Sequence, residues 1–399
     1  MNDRRLERSV LVVAYHFPPH ASAASVRAVQ LAELLAEREW AVRVLHAAPA
    51  THDARHHGWA EMLDQRGIER FVAPPSRKRL PSVAAGKPFG SWAMSLLRRR
   101  LSTAADFFAD WIETAVAAAA RILDEYPVNI VLGIAPPLSA ALAAEAIARR
   151  WQLPLAVDFG EIVELIPHRT PSYDGRNHED TVEQLLRSAQ YASVISRRQK
   201  ELLLRRCDFL THEEIGILPH AEPMPSNDRH ARTSHRQLLL VGEELPMSVL
   251  RPLLKVLQNE QGYRLRIAGS LPPSLPRLLQ KWQLTERVEL DATVTLASLD
   301  RWIEGSDAAV VLATPQATTP TAVAWRIATG GVPILAVGEY ASTLAEELPP
   351  ESVVVSRSLD PKSMRAAIEK LCSIAPAVRQ RDDVLDREFS RRLGMAMKL

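Results

Sequence analysis

The sequence predicts an α/β protein built from two successive Rossmann-like domains, and three observations carry that prediction. With 399 residues, the chain is longer than one hydrophobic core normally serves. Short apolar runs alternate with helical periodicity along most of its length. The alternation pauses at residues 219–235, where Pro219, Pro223, Pro225 and Asn227 stand among polar residues, and then restarts. A composition of 47% hydrophobic and 24% charged residues is that of a folded globular chain.

The elements follow in order. Residues 10–14 form a continuous apolar run, the pattern of a strand buried on both faces. A Pro-containing loop leads into a helix with Val26, Val29, Leu31, Leu34 and Leu35 on its apolar side, then a strand at 41–45, which makes a βαβ unit. Residues 91–123 read as helix, with Trp92, Leu96, Leu97, Phe107, Phe108, Trp111 and Ile122 as core. Strand 130–132, helix 138–150, strand 155–157, helix 181–189 and strand 193–195 continue the first domain. The second alternates strands at 238–241, 263–268, 288–290, 308–312, 332–337 and 352–355 with helices at 248–258, 275–282, 296–303, 321–328, 342–347 and 361–371. The expected division is 1–222, a linker at 223–236, 237–375, and a helical tail at 376–399. That tail either crosses back onto the first domain or stands as a solvated terminal helix.

Charge and cysteine content narrow the function classes. The net charge of +2 divides evenly, with 27 Lys and Arg against 26 Asp and Glu up to Pro219 and 22 against 21 beyond it, so neither half is a nucleic-acid binder by net charge. Basic clusters at 77–79, at 98–100 and at Arg197, Arg198 and Lys200 are either solvated faces or a peripheral contact with the anionic inner-membrane surface. Cys207 and Cys372 lack metal-type spacing and imply no disulfide framework, which points to the cytoplasm. The N-terminus lacks the long apolar region of a signal peptide, and no run reaches the ~20 apolar residues of a membrane span.

Local segments add a family resemblance. The run YHFPPHASAASVR at 15–27 resembles the first strand-to-helix loop of family 4-like glycosyltransferases, and AELLAEREWAVRVL fits the helix and strand after it. The block at 107–165 resembles that family's aromatic-rich helix, Pro-Pro-x-Ser strand end, helix, and strand entering an Asp-Phe-Arg-Asp loop. ASVISRRQKELLL, IGILPHAEP, RLRIAGSLPP, SLDRWIEGSDAAVVL and IATGGVPILAVG continue the similarity. The resemblance implies a GT-B-like fold, two Rossmann-like domains facing an interdomain cleft, and transfer of a sugar from a nucleotide sugar to a glycan or lipid-linked acceptor in polysaccharide or glycoconjugate biosynthesis. The donor it implies is UDP- or GDP-linked. No cofactor and no catalytic metal are expected, and other polysaccharide-assembly proteins are candidate partners.

The candidate residues follow from strand-end position and from that resemblance. Asp158 and Glu161 lie just past a strand's C-terminal end, where a catalytic acid or base belongs in an open α/β sheet, or where a carboxylate caps the next turn. They match the two acids of the family loop, with Gly160 in place of its Arg. Glu164 is a third candidate. His16, His20 and Arg27 flank the first βα loop as candidates for phosphate or acceptor binding, although Ala21, Ala23 and Ala24 stand where glycines usually admit a phosphate.

The donor side departs from the family pattern. Where it places an Arg and a Lys, this chain has Gly242-Glu243-Glu244, and where it places two glutamates eight positions apart, this chain has Ala317 and Trp325. Replacement cations are Arg251, Lys255 and Arg326, and Thr319 and Thr321 belong to a helix start whose N–H groups and hydroxyls suit a phosphate. These departures keep open a second reading, a catalytically inactive GT-B-like binding or scaffold subunit. His52, His56 and His57 read as a surface loop ahead of a metal site. There is no Walker-type loop and no Gly-x-Gly-x-x-Gly after either domain's first strand.

Overall fold

The computed structural model describes residues 8–20, 23–48, 58–74, 108–160, 173–219, 235–291, 301–312, 322–338, 341–348, 350–356, 358–374 and 383–397. The chain divides into two compact units: residues 1–219 with 383–399, and residues 220–382.

Unit 1 is a seven-stranded sheet in the order β3-β2-β1-β4-β5-β6-β7, every pair parallel. Its strands are β1 (Ser9–Ala14), β2 (Ala41–Ala47), β3 (Glu69–Ala73), β4 (Ile130–Ala135), β5 (Leu155–Phe159), β6 (Tyr191–Val194) and β7 (Ile215–Ile217). Every residue of β1, β4, β5 and β6 is buried, as expected where helices cover both faces of a parallel sheet. The helix Leu138–Trp151 follows β4 and buries Ala140, Ala141, Ala143, Ala144 and Ala148, so its backbone approaches the sheet closely. Gly133 on β4 makes that approach feasible: a Cβ there would lie 2.8 Å from Ala144 Cβ and 2.9 Å from Ala141 Cα. The C-terminal helix Asp383–Ala396 belongs to this unit and packs on β5, β6, β7 and the helix Ala23–Glu37. Trp40 Nε1 donates to Ser390 Oγ at 2.9 Å, fixing that helix to the turn between the helix Ala23–Glu37 and β2.

Unit 2 is a six-stranded parallel sheet in the order β10-β9-β8-β11-β12-β13. Its strands are β8 (Arg236–Glu244), β9 (Tyr263–Ser270), β10 (Val288–Asp291), β11 (Ala308–Leu312), β12 (Ile334–Val337) and β13 (Val353–Ser356). The helices Met247–Asn259 and Pro361–Leu371 bury Leu250, Leu253, Leu254, Met364 and Ile368 on one face, while Ala324, Ile327 and Ala328 of the helix Ala322–Thr329 fill the other. Asp360 caps Pro361–Leu371 by accepting from the Lys362 and Ser363 amides. Its carboxyl is consequently held far below the usual range by hydrogen bonds to Ser358 and Ser363.

The structure departs from the sequence expectations at several elements. The helix Gly58–Gln65 and the edge strand β3 were not anticipated. The first-domain helix runs over Tyr173–Ser188 and begins earlier than 181. The long helix is described over Trp111–Glu125, and residues 91–107 of that expectation lie outside the described residues, as do 296–300 of the helix expected at 296–303. β8 begins at Arg236, so the last residue of the expected linker is strand, while 220–234 lie outside the described residues.

Candidate functional site

In an open parallel sheet, ligands bind beyond the C-terminal ends of the strands where the strand order reverses. In unit 1 that point lies between β1 and β4. β1 ends at Ala14 and opens directly into Tyr15 and His16, which are half-buried, while Phe17 is fully buried and lies 5.5 Å from the His46 ring. Tyr15, His16, His20, Phe108 and Trp111 gather there. Tyr15 packs on Phe108 at 4.2 Å and edge-on to Trp111 at 5.2 Å, and His16 meets Phe108 at 5.7 Å. The His16 and His20 rings stack at 4.5 Å, and His20 Nδ1 lies 3.2 Å from Ser25 Oγ. The loop therefore presents two partly exposed imidazoles on an aromatic base, groups that can accept a proton and lie against an apolar ring face.

Below this loop lies a buried ionic cluster. Arg27 Nε donates to Asp158 Oδ2 at 2.8 Å and its Nη2 to Oδ1 at 2.7 Å, a two-point pairing in which the residues are 1% and 0% exposed. Ser193 Oγ adds a third donor to Asp158 Oδ1 at 2.5 Å. The remaining Arg27 nitrogen reaches Gln30 Oε1 at 3.1 Å and the Pro219 carbonyl at 3.2 Å, which also accepts from Gln30 Nε2 at 3.0 Å. At Gly160, where the resemblance places an Arg, a Cβ would sit tightly against the Ala135 carbonyl at 3.3 Å and in ordinary contact with Arg27 Cγ at 3.6 Å.

This geometry corrects the expectation for Asp158 and Arg27. The two residues flagged separately as base and donor-binding cation are each other's partners across 131 positions. Asp158 has no exposed surface and three donors on its carboxylate, so it ties the helix Ala23–Glu37 to β5 and β6 rather than meeting a substrate. Glu161 and Glu164 lie outside the described residues, as do His52, His56 and His57.

His46, at the end of β2, was not singled out by the sequence. It is 2% exposed with Nδ1 2.9 Å from the Ala47 carbonyl, and burial lowers its pKa to about 4, so it is neutral beside the first loop. Only its strand-end position could have flagged it.

In unit 2 the order reverses between β8 and β11. The segment expected as a loop, Gly242-Glu243-Glu244, is the end of β8: Gly242 pairs with Gly269 and Glu244 with Ser270 across a register shift. Backbone pairing asks nothing of side-chain polarity, so the strand outlasts its apolar run. Arg251 is exposed on the helix Met247–Asn259. Lys255, one turn on, donates to Gln258 Oε1 at 2.9 Å and lies 5.6 Å from the Trp282 ring centroid, which places it on the flank of unit 2. Trp325 is 7% exposed and packs in the core with Leu239, Ala309 and Val311, its Nε1 buried without a partner among the described residues. Beside it Arg326 is half-buried, and desolvation lowers its pKa to about 10. Thr319, Thr321 and Ala317 lie outside the described residues. Among the described residues, no group of three or more His, Cys, Asp or Glu gathers to hold a metal, and no helix is long and apolar enough to cross a membrane.

No protein-family model matches the chain, and no curated protein matches it. Solved structures match along nearly its whole length. Sucrose-phosphate synthase from Thermosynechococcus elongatus is 13% identical with a TM-score of 0.61, the alignment covering 98% of this chain and 95% of that one. Anabaena Alr3699/HepE in complex with UDP and glucose is 13% identical with a TM-score of 0.62, over 97% and 100%. UDP-GlcNAc 2-epimerase from Neisseria meningitidis, bound to UDP-GlcNAc, is 12% identical with a TM-score of 0.59, over 97% and 100%. With two doubly wound parallel sheets in succession and this likeness over the full chain, the protein has a GT-B-like fold of two Rossmann-like units.

Proposed function

We propose that the chain is a glycosyltransferase of the family 4-like type that moves a sugar from a UDP- or GDP-linked donor to a glycan or lipid-linked acceptor in polysaccharide or glycoconjugate assembly. The observation that carries this reading is the pair of doubly wound units, each with strand-end loops at a switch point, the place where such sheets take nucleotides and their acceptors. The likeness to a protein in complex with UDP and glucose and to an epimerase bound to UDP-GlcNAc supports a nucleotide sugar as ligand. In this reading unit 1 takes the acceptor at the His16 and His20 loop, and one of these imidazoles or Glu161 accepts the hydroxyl proton. Asp158 positions the loop through Arg27. Unit 2 holds the donor through the backbone amides and hydroxyls of Thr319 and Thr321 and through the charge of Arg326, without a metal. The setting is cytoplasmic, with peripheral inner-membrane contact through the basic clusters.

A second reading, a binding or scaffold subunit without turnover, is favoured by one observation: Trp325 packs as core where the resemblance asks for a hydroxyl-binding carboxylate. Calorimetric titration with UDP- and GDP-sugars separates the two. The transferase reading expects weak binding that strengthens in Glu243→Arg, because that change removes a negative charge at the end of β8 and adds a positive one. Absence of binding in both proteins would leave the scaffold reading standing alone.

A further inference from the structure

Away from the β8 and β11 ends, unit 2 carries a pocket of about 440 Å³ at the β10 edge of its sheet, lined by Arg266, Glu289, Leu290, Asp291, Arg301 and Trp302. Arg266 and Glu289 stand opposite each other in the β9–β10 register, and their side chains pair at 2.9 Å. The Arg266 guanidinium also lies 5.7 Å from the Trp302 ring centroid. Gly305 leaves space for it, since a Cβ there would be 2.9 Å from Nη1. Arg301, exposed, and Trp302, half-buried, belong to the helical turn at 301–304 that precedes β11. One wall is thus fixed in advance by an ion pair and an indole, which lowers the ordering cost of binding.

The lining chemistry selects a ligand class. Among the described lining residues, two guanidiniums and two carboxylates sum to no net charge. A phosphate would meet Glu289 and Asp291, a cation would meet Arg266 and Arg301, and an apolar molecule would strip water from charged groups without replacing it. A sugar ring offers hydroxyls that both donate and accept, and a C–H face that packs on an indole. The volume falls within the usual range of small-molecule sites. We propose that this pocket is a second saccharide site, binding a short segment of neutral glycan at the sheet edge, separate from the strand-end loops assigned to transfer.

The test is saturation-transfer NMR on the full chain with cellopentaose, maltopentaose, isomaltopentaose and chitopentaose, followed by titration of any that respond. At least one should bind, and Arg301→Ala should weaken it about tenfold or more, the effect of losing a hydrogen bond from a charged group. Arg301 is exposed, so this variant should melt with the wild type. Trp302→Phe should retain binding and Trp302→Ala lose it. Saturating UDP should leave saccharide binding unchanged, which keeps this test independent of the donor site. The proposal is overturned if no pentasaccharide binds at millimolar concentration, if Arg301→Ala and Glu289→Gln both bind as the wild type does, or if UDP or inorganic phosphate displaces the sugar.

Discussion

Replacing Asp158 by Asn leaves the Arg27 guanidinium charged and fully buried with no counter-ion among the described residues. The residue has no exposed surface, and both carboxylate oxygens are occupied by Arg27, one of them also by Ser193, so no water can take over the lost charge without the site opening. Breaking one side of such a buried pair costs about 3–5 kcal/mol. For a cooperatively melting domain of ~150 to 250 residues this lowers Tm by roughly 6 to 20 °C. The double variant Arg27→Met with Asp158→Leu removes both charges at similar volume and should recover most of that loss, because an apolar replacement carries no desolvation penalty. Differential scanning calorimetry of the three variants is the assay. A Tm for Asp158→Asn within about 1 °C of wild type, or a double variant less stable than the sum of the singles, would refute the assignment of this pair to the fold.

Other outcomes follow from named contacts. His46 has a folded pKa near 4 against an unfolded value of 6.5, so its contribution to stability is present above pH 6.5 and is lost as pH falls toward 4. Between those values the wild type should lose about 3 kcal/mol more than His46→Gln, read from urea unfolding at each pH. Gly133→Ala drives a methyl into Ala141 and Ala144 and should destabilise by about 1–3 kcal/mol, and an unchanged urea midpoint would show that the helix Leu138–Trp151 can retreat freely. If an imidazole at the first loop is the base, either His16→Asn or His20→Asn should lower turnover by about a hundredfold while Tm holds, and equal rates in both variants would assign the proton to another group.

The fold was legible because apolar strands and amphipathic helices alternate where the core demands it. Residues 10–14 read as a buried strand and 308–312 as a strand, and all of them but the half-buried Leu312 are buried. β3 was missed because an edge strand buries little: in Glu69–Ala73 only Ala73 is fully covered, so the run ERFVA carries no core pattern. The extension of β8 through Glu243 and Glu244 was missed for a related reason, since its ladder with β9 is made by backbone groups alone. The pairing inside the candidate site was not legible. Strand-end and loop position singled out Asp158 and Arg27, but they are 131 residues apart, and nothing local says that one neutralises the other. The β10-edge pocket left no local signal either, because Arg266, Glu289 and Trp302 come from three separate elements.

The most direct test of the account is transfer itself: incubation of the purified chain with UDP- and GDP-sugars and a membrane-lipid extract as acceptor source, with mass spectrometry of the lipid and glycan products and of the released nucleotide. Glycosyl transfer predicts a product heavier than its acceptor by one sugar residue, formed with an equal amount of nucleoside diphosphate, and absent when either donor or extract is omitted. Donor that stays intact across the whole panel, from a protein that is folded and binds the nucleotide sugar, would contradict it.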